Sequence, residues 1–242
     1  MNYENMLTLK SKISGFDAGS LLDVAVGRGE FLKFAMGAFR SWQSAAGLDF
    51  DADLLKTARN EFMGSPVLLI YSSALTMPFT DHYFDTITLS NAMHHIEKLQ
   101  PLFAEFSRVC KAQGLIIINE MLNEDFSEMQ ETYMLYHRLI AEMDNQLGQY
   151  HREPYTLKEI TALIKASNLK VQEQFTHSEI TGDAMNVNEI QAMSDRLNKR
   201  VDRLRGTDFY YFYRNKAQDV IGRFNKTGIH RPRHVTFILR TS

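Results

Sequence analysis

The sequence predicts an α/β domain: a doubly wound, mostly parallel sheet with helices on both faces. Three observations carry that expectation. Near-continuous apolar runs of strand length recur at Leu21–Val26, Ala45–Phe50, Val67–Tyr71, Phe84–Ser90 and Gly114–Glu120. Helical patterns near 29–39, 52–63 and 99–110 alternate with them. The first run ends in two glycines set one residue apart, just before a helical pattern. Strands that are apolar throughout need cover on both faces, which intervening helices supply. Right-handed crossovers then place the ligand crevice at the carboxyl ends of the strands.

Each element has a local reason. In LLDVAVGRGEF, Leu21 to Phe31, an apolar run with one acid turns at Gly27 and Gly29, after which Phe31, Leu32, Phe34 and Ala35 recur at helical spacing. The second strand ends in GLDFD, and Asp51 is placed to cap the helix that follows. The fourth reads FDTITLSNAMHHI, and RVCKAQGLIIINE is a helix end, a turn and the fifth strand. Beyond Glu120 the rhythm changes. Met129, Tyr133, Tyr136, Ile140, Met143 and Leu147 step by three and four, predicting a helix over 125–147. A second helix is expected over Thr156–Ser167, and strands over Val171–His177 and His234–Arg240. Between those strands, Val187, Ile190, Met193, Leu197, Val201 and Leu204 form one apolar face, and Phe209–Ile221 reads as another helix. The expected organisation is a main domain, 1–182 with 233–242, interrupted by a helical insertion, 183–232, that acts as a lid or as a packing or dimerisation element.

Composition sets the bounds. Of 242 residues, 44% are hydrophobic and 23% charged, which excludes disorder as the main state. The single cysteine, Cys110, excludes an internal disulfide and fits a reducing compartment. No apolar run is long enough to span a bilayer, and Met-Asn-Tyr-Glu-Asn lacks the basic start of a signal peptide, so a cytoplasmic location is expected. The formal net charge of -2 hides an asymmetry: residues 1–194 hold 15 Lys+Arg against 25 Asp+Glu, whereas 195–242 hold 12 against 4. Such a basic segment suits docking on the acidic body of its own chain, or of a second copy in a homodimer, better than nucleic acid. The cluster DFYYFYR, 208–214, is expected to bury a helix against a partner helix rather than to stack on bases.

The glycine turn narrows the ligand. A dinucleotide fingerprint needs a third glycine, but Leu32 stands three residues after Gly29. No phosphate loop is present, and Asp23, inside the strand feeding the turn, would repel a pyrophosphate yet attract a cation. An unpaired carboxylate is costly to bury, so a ligand role suits it. Asp49, at the end of the second strand, can accept both hydroxyls of a ribose.

Taken in order, these motifs resemble those of the class I S-adenosylmethionine-dependent methyltransferases, especially the small-molecule branch of ubiquinone and menaquinone C-methyltransferases. The resemblance covers residues 18–120 well and 150–180 loosely. It implies a Rossmann-like seven-stranded sheet of order 3-2-1-4-5-7-6 with the last strand antiparallel, so that His234–Arg240 inserts beside Gly114–Glu120. It implies S-adenosyl-L-methionine as cofactor, with S-adenosyl-L-homocysteine as product. On this resemblance Asp23 addresses the methionine amino group, Gly27 and Gly29 let the backbone approach, and Ala25 stands where glycine is common. Asp49 becomes the ribose acid and Phe50 an adenine neighbour. Ser73 and Ala74 occupy the third motif, where an aspartate is usual before alanine; Asn91 and Ala92 line the crevice near the methyl group.

The expected reaction is in-line transfer of a methyl group to a nitrogen, oxygen or carbon of a small-molecule acceptor, with positioning supplying much of the rate. The alternatives are an RNA methyltransferase using the basic segment, or a protein that holds the cofactor without turnover, as the serine at 73 would suit. The candidates for a catalytic role are His94, expected to face the pocket, and His137, which shares a helix face with Tyr133; Glu120 and His151 join His137 on the acceptor side. No metal is expected: adjacent His94 and His95 do not chelate unless other ligands join, and no Cys/His cluster in the sequence completes a site.

Overall fold

The computed structural model describes residues 6–178 and 182–241. Met1–Asn5, 179–181 and Ser242 lie outside the described residues. The strands are β1 (Ser20–Val24), β2 (Ser44–Asp49), β3 (Val67–Tyr71), β4 (Phe84–Ser90), β5 (Cys110–Met121), β6 (Lys170–His177) and β7 (His234–Arg240). They form one sheet of order β3-β2-β1-β4-β5-β7-β6. Neighbours from β3 to β5 run parallel, and β7 runs antiparallel to both β5 and β6.

The alternation of β5 shows why both faces need helices. Ile116 and Ile118 join Leu22, Val24, Ile87 and Leu89 in one core, which α4 (Leu99–Val109) and α6 (Leu157–Lys165) close through Leu102, Phe106, Ile160 and Ile164. Ile117 points the other way, with Leu21 and Ile238, into a core built from α1 (Leu7–Ile13), α2 (Glu30–Ala38) and α3 (Ala52–Glu61). Fully burying a leucine or isoleucine is worth about 1.5–3 kcal/mol, so these two layers dominate the sheet's stability. Helix starts are fixed locally. The Asp51 carboxylate accepts the N–H groups of Asp53 and Leu54, and capping boxes at Ser127/Gln130 and Thr156/Glu159 open α5 (Glu128–Gln146) and α6.

The sequence signalled the insertion's helices but not where they go. The apolar face of α7 (Val187–Asp202) and one side of α8 (Tyr210–Thr227) pack on α5, giving a third core of Tyr133, Met134, Met143, Met193, Leu197, Val201, Ala217 and Phe224. The basic segment docks on acids of the same chain: Arg200 on Asp144 at 2.8 Å, Lys216 on Glu142 at 2.9 Å, Arg223 on Glu131 at 3.0 Å and Arg233 on Asp125 at 2.7 Å.

Two expectations need correction, and one helix was not expected. Cluster 208–214 does not bury as a whole: Tyr213 is inside, while Phe209, Tyr211 and Phe212 are exposed, because the helix turns only one side to α5. β5 begins at Cys110 rather than Gly114; the pairing with β4 jumps from Phe84–Cys110 to Thr86–Leu115, and the bulge takes Gln113 to a φ of 58°. Helix α1 carried no sequence signal; it is a short segment ordered by burying Leu9 and Ile13 against α2.

Candidate active site

The site lies where the sheet order reverses, at the carboxyl ends of β1, β2 and β4. Asp23 sits on β1 in register with Gly47 of β2 and Thr88 of β4. Its Oδ1 accepts the Thr88 hydroxyl at 2.6 Å, and no cationic side chain pairs with it among the described residues. Burial, with Asp49 nearby as a lesser cause, pushes this carboxyl up to about 7 against the relief given by Thr88. The chain then leaves the strand through left-handed residues, Ala25 at φ 55°, Gly27 at 55° and Gly29 at 87°. A non-glycine residue is strained there, which gives a physical reason for the glycine common at position 25.

The two glycines do different work. A Cβ on Gly27 would meet only the Ala25 carbonyl, at 4.0 Å, so the space above it is open. A Cβ on Gly29 would strike the Phe62 ring at 2.5 Å. Gly27 lines the cavity, whereas Gly29 starts α2 and lets Phe62 pack against the turn. Asp49 holds this turn as well as facing the cavity: its Oδ2 accepts the Gly27 N–H at 2.8 Å and its Oδ1 the Asp51 N–H at 2.9 Å. Sequence reasoning missed that link. Each oxygen keeps a second lone pair, so both can still accept from a diol. Burial raises the Asp49 carboxyl, and those N–H donors oppose the rise.

The cavity above the turn measures about 710 Å³. Asp23, Ala25, Asp49 and the exposed ring of Phe50 lie on its wall, as do Ala74, Asn91 and Ala92. Asn91 holds a φ of 49° and accepts the Met121 N–H at 3.0 Å, tying the end of β4 to β5. Gly29 and Ser73 are not on the wall. The Ser73 hydroxyl is turned to the Leu75 N–H at 3.1 Å, and Ser72 takes the wall position beside Ala74.

The histidines need the largest correction. Neither His94 nor His137 lines the cavity; His95, from the same short 3₁₀ turn Met93–His95, does. His94 is turned inward, its Nδ1 2.6 Å from Glu120 Oε1, while Glu120 Oε2 accepts the N–H groups of Ala92 and Met93 at 3.1 and 2.9 Å. Burial pushes Glu120 up to about 8 and His94 down to about 3, so the pair is held neutral with one proton between them. Burial also holds His95 and His137 well below the usual histidine value. Contrary to the expectation that no cluster forms, His137 Nε2 lies 3.3 Å from His94 Nε2 and 3.4 Å from His151 Nε2. Adjacent residues on one turn cannot chelate; helix α5 and the loop after it bring the other two rings.

The far half of the cavity was read from sequence only in part. Tyr133 of α5, Tyr150 and Asp144 reach it, together with Arg196, Arg200 and Arg203 of α7 and Arg231. The three α7 arginines recur at steps of four and three and so share one face, a pattern visible in the sequence.

Residues 22–118 match the methyltransferase domain family. With the sheet order and the glycine turn, this match supports a class I S-adenosylmethionine-dependent methyltransferase. Among curated proteins it is similar to the demethylmenaquinone methyltransferase of Bacillus licheniformis, 26% identical over 161 residues, 62% of this chain and 69% of that one. A second such enzyme, from Shouchella clausii, is 22% identical over 162 residues, 66% and 69% of the two chains. Among solved structures, the YcgJ protein from Bacillus subtilis superposes with a TM-score of 0.61 at 16% identity, covering 99% of this chain and 98% of that one. The geranyl diphosphate C-methyltransferase of Streptomyces coelicolor gives 0.56 at 12% identity, covering 98% and 75%. Among the described residues no helix is long and apolar enough to cross a membrane.

Proposed function

We propose that the chain transfers a methyl group from S-adenosylmethionine to a small, anionic acceptor held inside the cavity. The observation that carries this reading is the set of four arginines, 196, 200, 203 and 231, on the acceptor half of the wall. Asp144 offsets only Arg200 directly, at 2.8 Å, and Glu189 lies 3.8 Å from Arg231. Arg203 reaches Gln149 at 3.4 Å, and Arg196 has no carboxylate within ion-pair distance among the described residues. Arginines turned inward select a compact anion, a carboxylate, phenolate or enolate, over a polynucleotide that needs an open basic face.

The cofactor half fits S-adenosylmethionine on its own geometry. Asp23 is a buried carboxylate without a cationic partner, suited to an α-ammonium; Asp49 keeps free lone pairs for ribose hydroxyls; Gly27 leaves space for close approach; Phe50 offers an apolar face to adenine. The cofactor, when bound, supplies a methyl carbon made electrophilic by its sulfonium. The protein's task is to orient the acceptor and present it ionised. The arginines favour the ionised acceptor electrostatically. His95 is a weak base, because burial holds it well below its ordinary value; the arginines' field lowers the acceptor's own pKa, and its proton is lost to solvent before the acceptor is enclosed. The demethylmenaquinone in the names of the relatives would belong to this class in a reduced, phenolic form.

The test is methyl transfer from radiolabelled cofactor to a panel of matched acids and neutral amides or ethers. Turnover confined to the acids, with KM raised at least tenfold by Arg196→Ala and unchanged affinity for S-adenosylhomocysteine, supports the reading. Equal turnover of neutral acceptors, or of an RNA, refutes it.

A further inference from the structure

The buried histidines outside the cavity wall form a second centre. Three chain segments supply one imidazole each: the 3₁₀ turn after β4 gives His94, α5 gives His137, and the loop before α6 gives His151. All three rings are buried, and each offers a nitrogen within 4.8 Å of the others'. We propose that His94, His137 and His151 bind a divalent transition-metal ion through three imidazole nitrogens.

Three observations point to it. First, two of the three spacings match a tetrahedral edge, and the third pair lies within 4.8 Å. Four ligands at the usual zinc–nitrogen distance of about 2.0–2.1 Å stand about 3.3–3.4 Å apart along each tetrahedral edge. The two Nε2···Nε2 separations from His137 are 3.3 and 3.4 Å. Second, carboxylates stand behind two of the rings. His151 Nδ1 lies 2.9 Å from Asp144 Oδ2, and Asp144 is paired with Arg200, so His151 donates Nδ1–H and turns its Nε2 lone pair inward. His94 Nδ1 faces Glu120 at 2.6 Å. With a cation bound, the proton between them sits on Nδ1, leaving Nε2 to coordinate. Carboxylates that receive the outer N–H of a histidine are the usual support of metal-bound imidazoles.

Third, proton bookkeeping without a cation leaves a conflict. His137 has one N–H to place. On Nε2 it must be shared between two neighbours, and the Nδ1 lone pair is left bare; on Nδ1 it finds no acceptor among the described residues, and the Nε2 lone pairs of His137 and His151 face each other at 3.4 Å. Among the described residues the buried Nδ1 of His137 has no hydrogen-bond partner. A cation accepts the inward lone pairs and removes the repulsion at the centre.

Three neutral imidazoles with no thiolate suit zinc, cobalt, nickel, iron or copper rather than magnesium or calcium. Three protein ligands leave one coordination position over. The ion would join the end of β4, helix α5 and the segment leading to α6, fastening the acceptor-side layer to the sheet. His95 separates it from the cavity wall, its ring centroid 4.0 Å from that of His151. Metal binding here does not depend on which acceptor the enzyme methylates.

The experiment uses the full chain without a polyhistidine tag, stripped with a chelator and dialysed. One equivalent of Zn2+ should bind per chain by elemental analysis and raise Tm, and Co2+ alone should give the intense visible absorption of a tetrahedral nitrogen site. His137→Gln and His151→Gln should each abolish stoichiometric uptake, His230→Gln should not, and all three should keep their affinity for S-adenosylhomocysteine. Substoichiometric uptake by the wild type, octahedral cobalt spectra, or uptake unchanged in the two variants overturns the proposal. The wild-type cobalt spectrum decides the matter if either variant fails to fold. Retained S-adenosylhomocysteine binding separates loss of the metal from failure of the methyltransferase reading.

Discussion

Asp23 is a carboxyl whose protonation should be readable in cofactor binding. Its folded-state value of about 7, against an ordinary 3.8, means that near pH 6 most chains carry it protonated. An ammonium placed beside it needs the ionised form, so binding expels the proton. At pH 6 a group of this pKa is roughly 0.9 protonated, and at pH 7.5 roughly 0.2. Affinity for S-adenosylhomocysteine should therefore rise about eightfold from pH 6 to 7.5, a little over 1 kcal/mol. Calorimetric titration in buffers of different ionisation enthalpy measures both the affinity and the protons released. The same group acts on stability with a fixed sign. A carboxyl raised in the folded state favours folding most below its unfolded value, and that advantage is lost as pH rises through 7, so the ligand-free chain should weaken over pH 4–7. Asp23→Asn should flatten both dependences. A wild-type affinity independent of pH, with no proton released, would refute the assignment of Asp23 to the ammonium.

Other consequences are equally direct. Gly29→Ala combines a φ of 87° with a 2.5 Å approach to Phe62, and should cost about 1–3 kcal/mol in urea denaturation; an unchanged midpoint would mean that the turn relaxes freely. Asp49→Asn removes an acceptor from the Gly27 N–H and, on the proposed function, from the ribose, so it should lower Tm and abolish measurable S-adenosylhomocysteine binding together, whereas loss of only one would show that the two roles are separable. Leu197→Ala, at a fully buried position between α5 and α8, should cost about 2–5 kcal/mol without changing the oligomeric state by light scattering; if it dissociated a dimer instead, the α7 stripe would be an interface.

Several features were legible in the chain because they are local. Runs such as Leu21–Val26 and the isoleucines of β5 announce buried strands, since only a two-faced core tolerates them, and the strand–helix alternation leaves few topologies. The glycine turn, Asp23 and Asp49 could be named because the residue types and their spacing set where a backbone bends and where a carboxylate ends a strand. Side-chain direction is another matter. Whether His94 or His95 faces the cavity depends on the winding of one 3₁₀ turn, and Ser72 replaces Ser73 on the wall because a hydroxyl prefers a nearby N–H. The histidine cluster spans 57 positions, from 94 to 151, and no periodicity links its members. The arginines of α7 could be seen to share a face, but only the packing of α7 on α5 turns that face toward the cavity rather than solvent. Sequence determined the elements, and the glycine turn and carboxylates set at the strand ends, through short-range sterics and burial. Tertiary packing decided which charged and titratable groups meet, because electrostatic and coordination partners are chosen by distance in space.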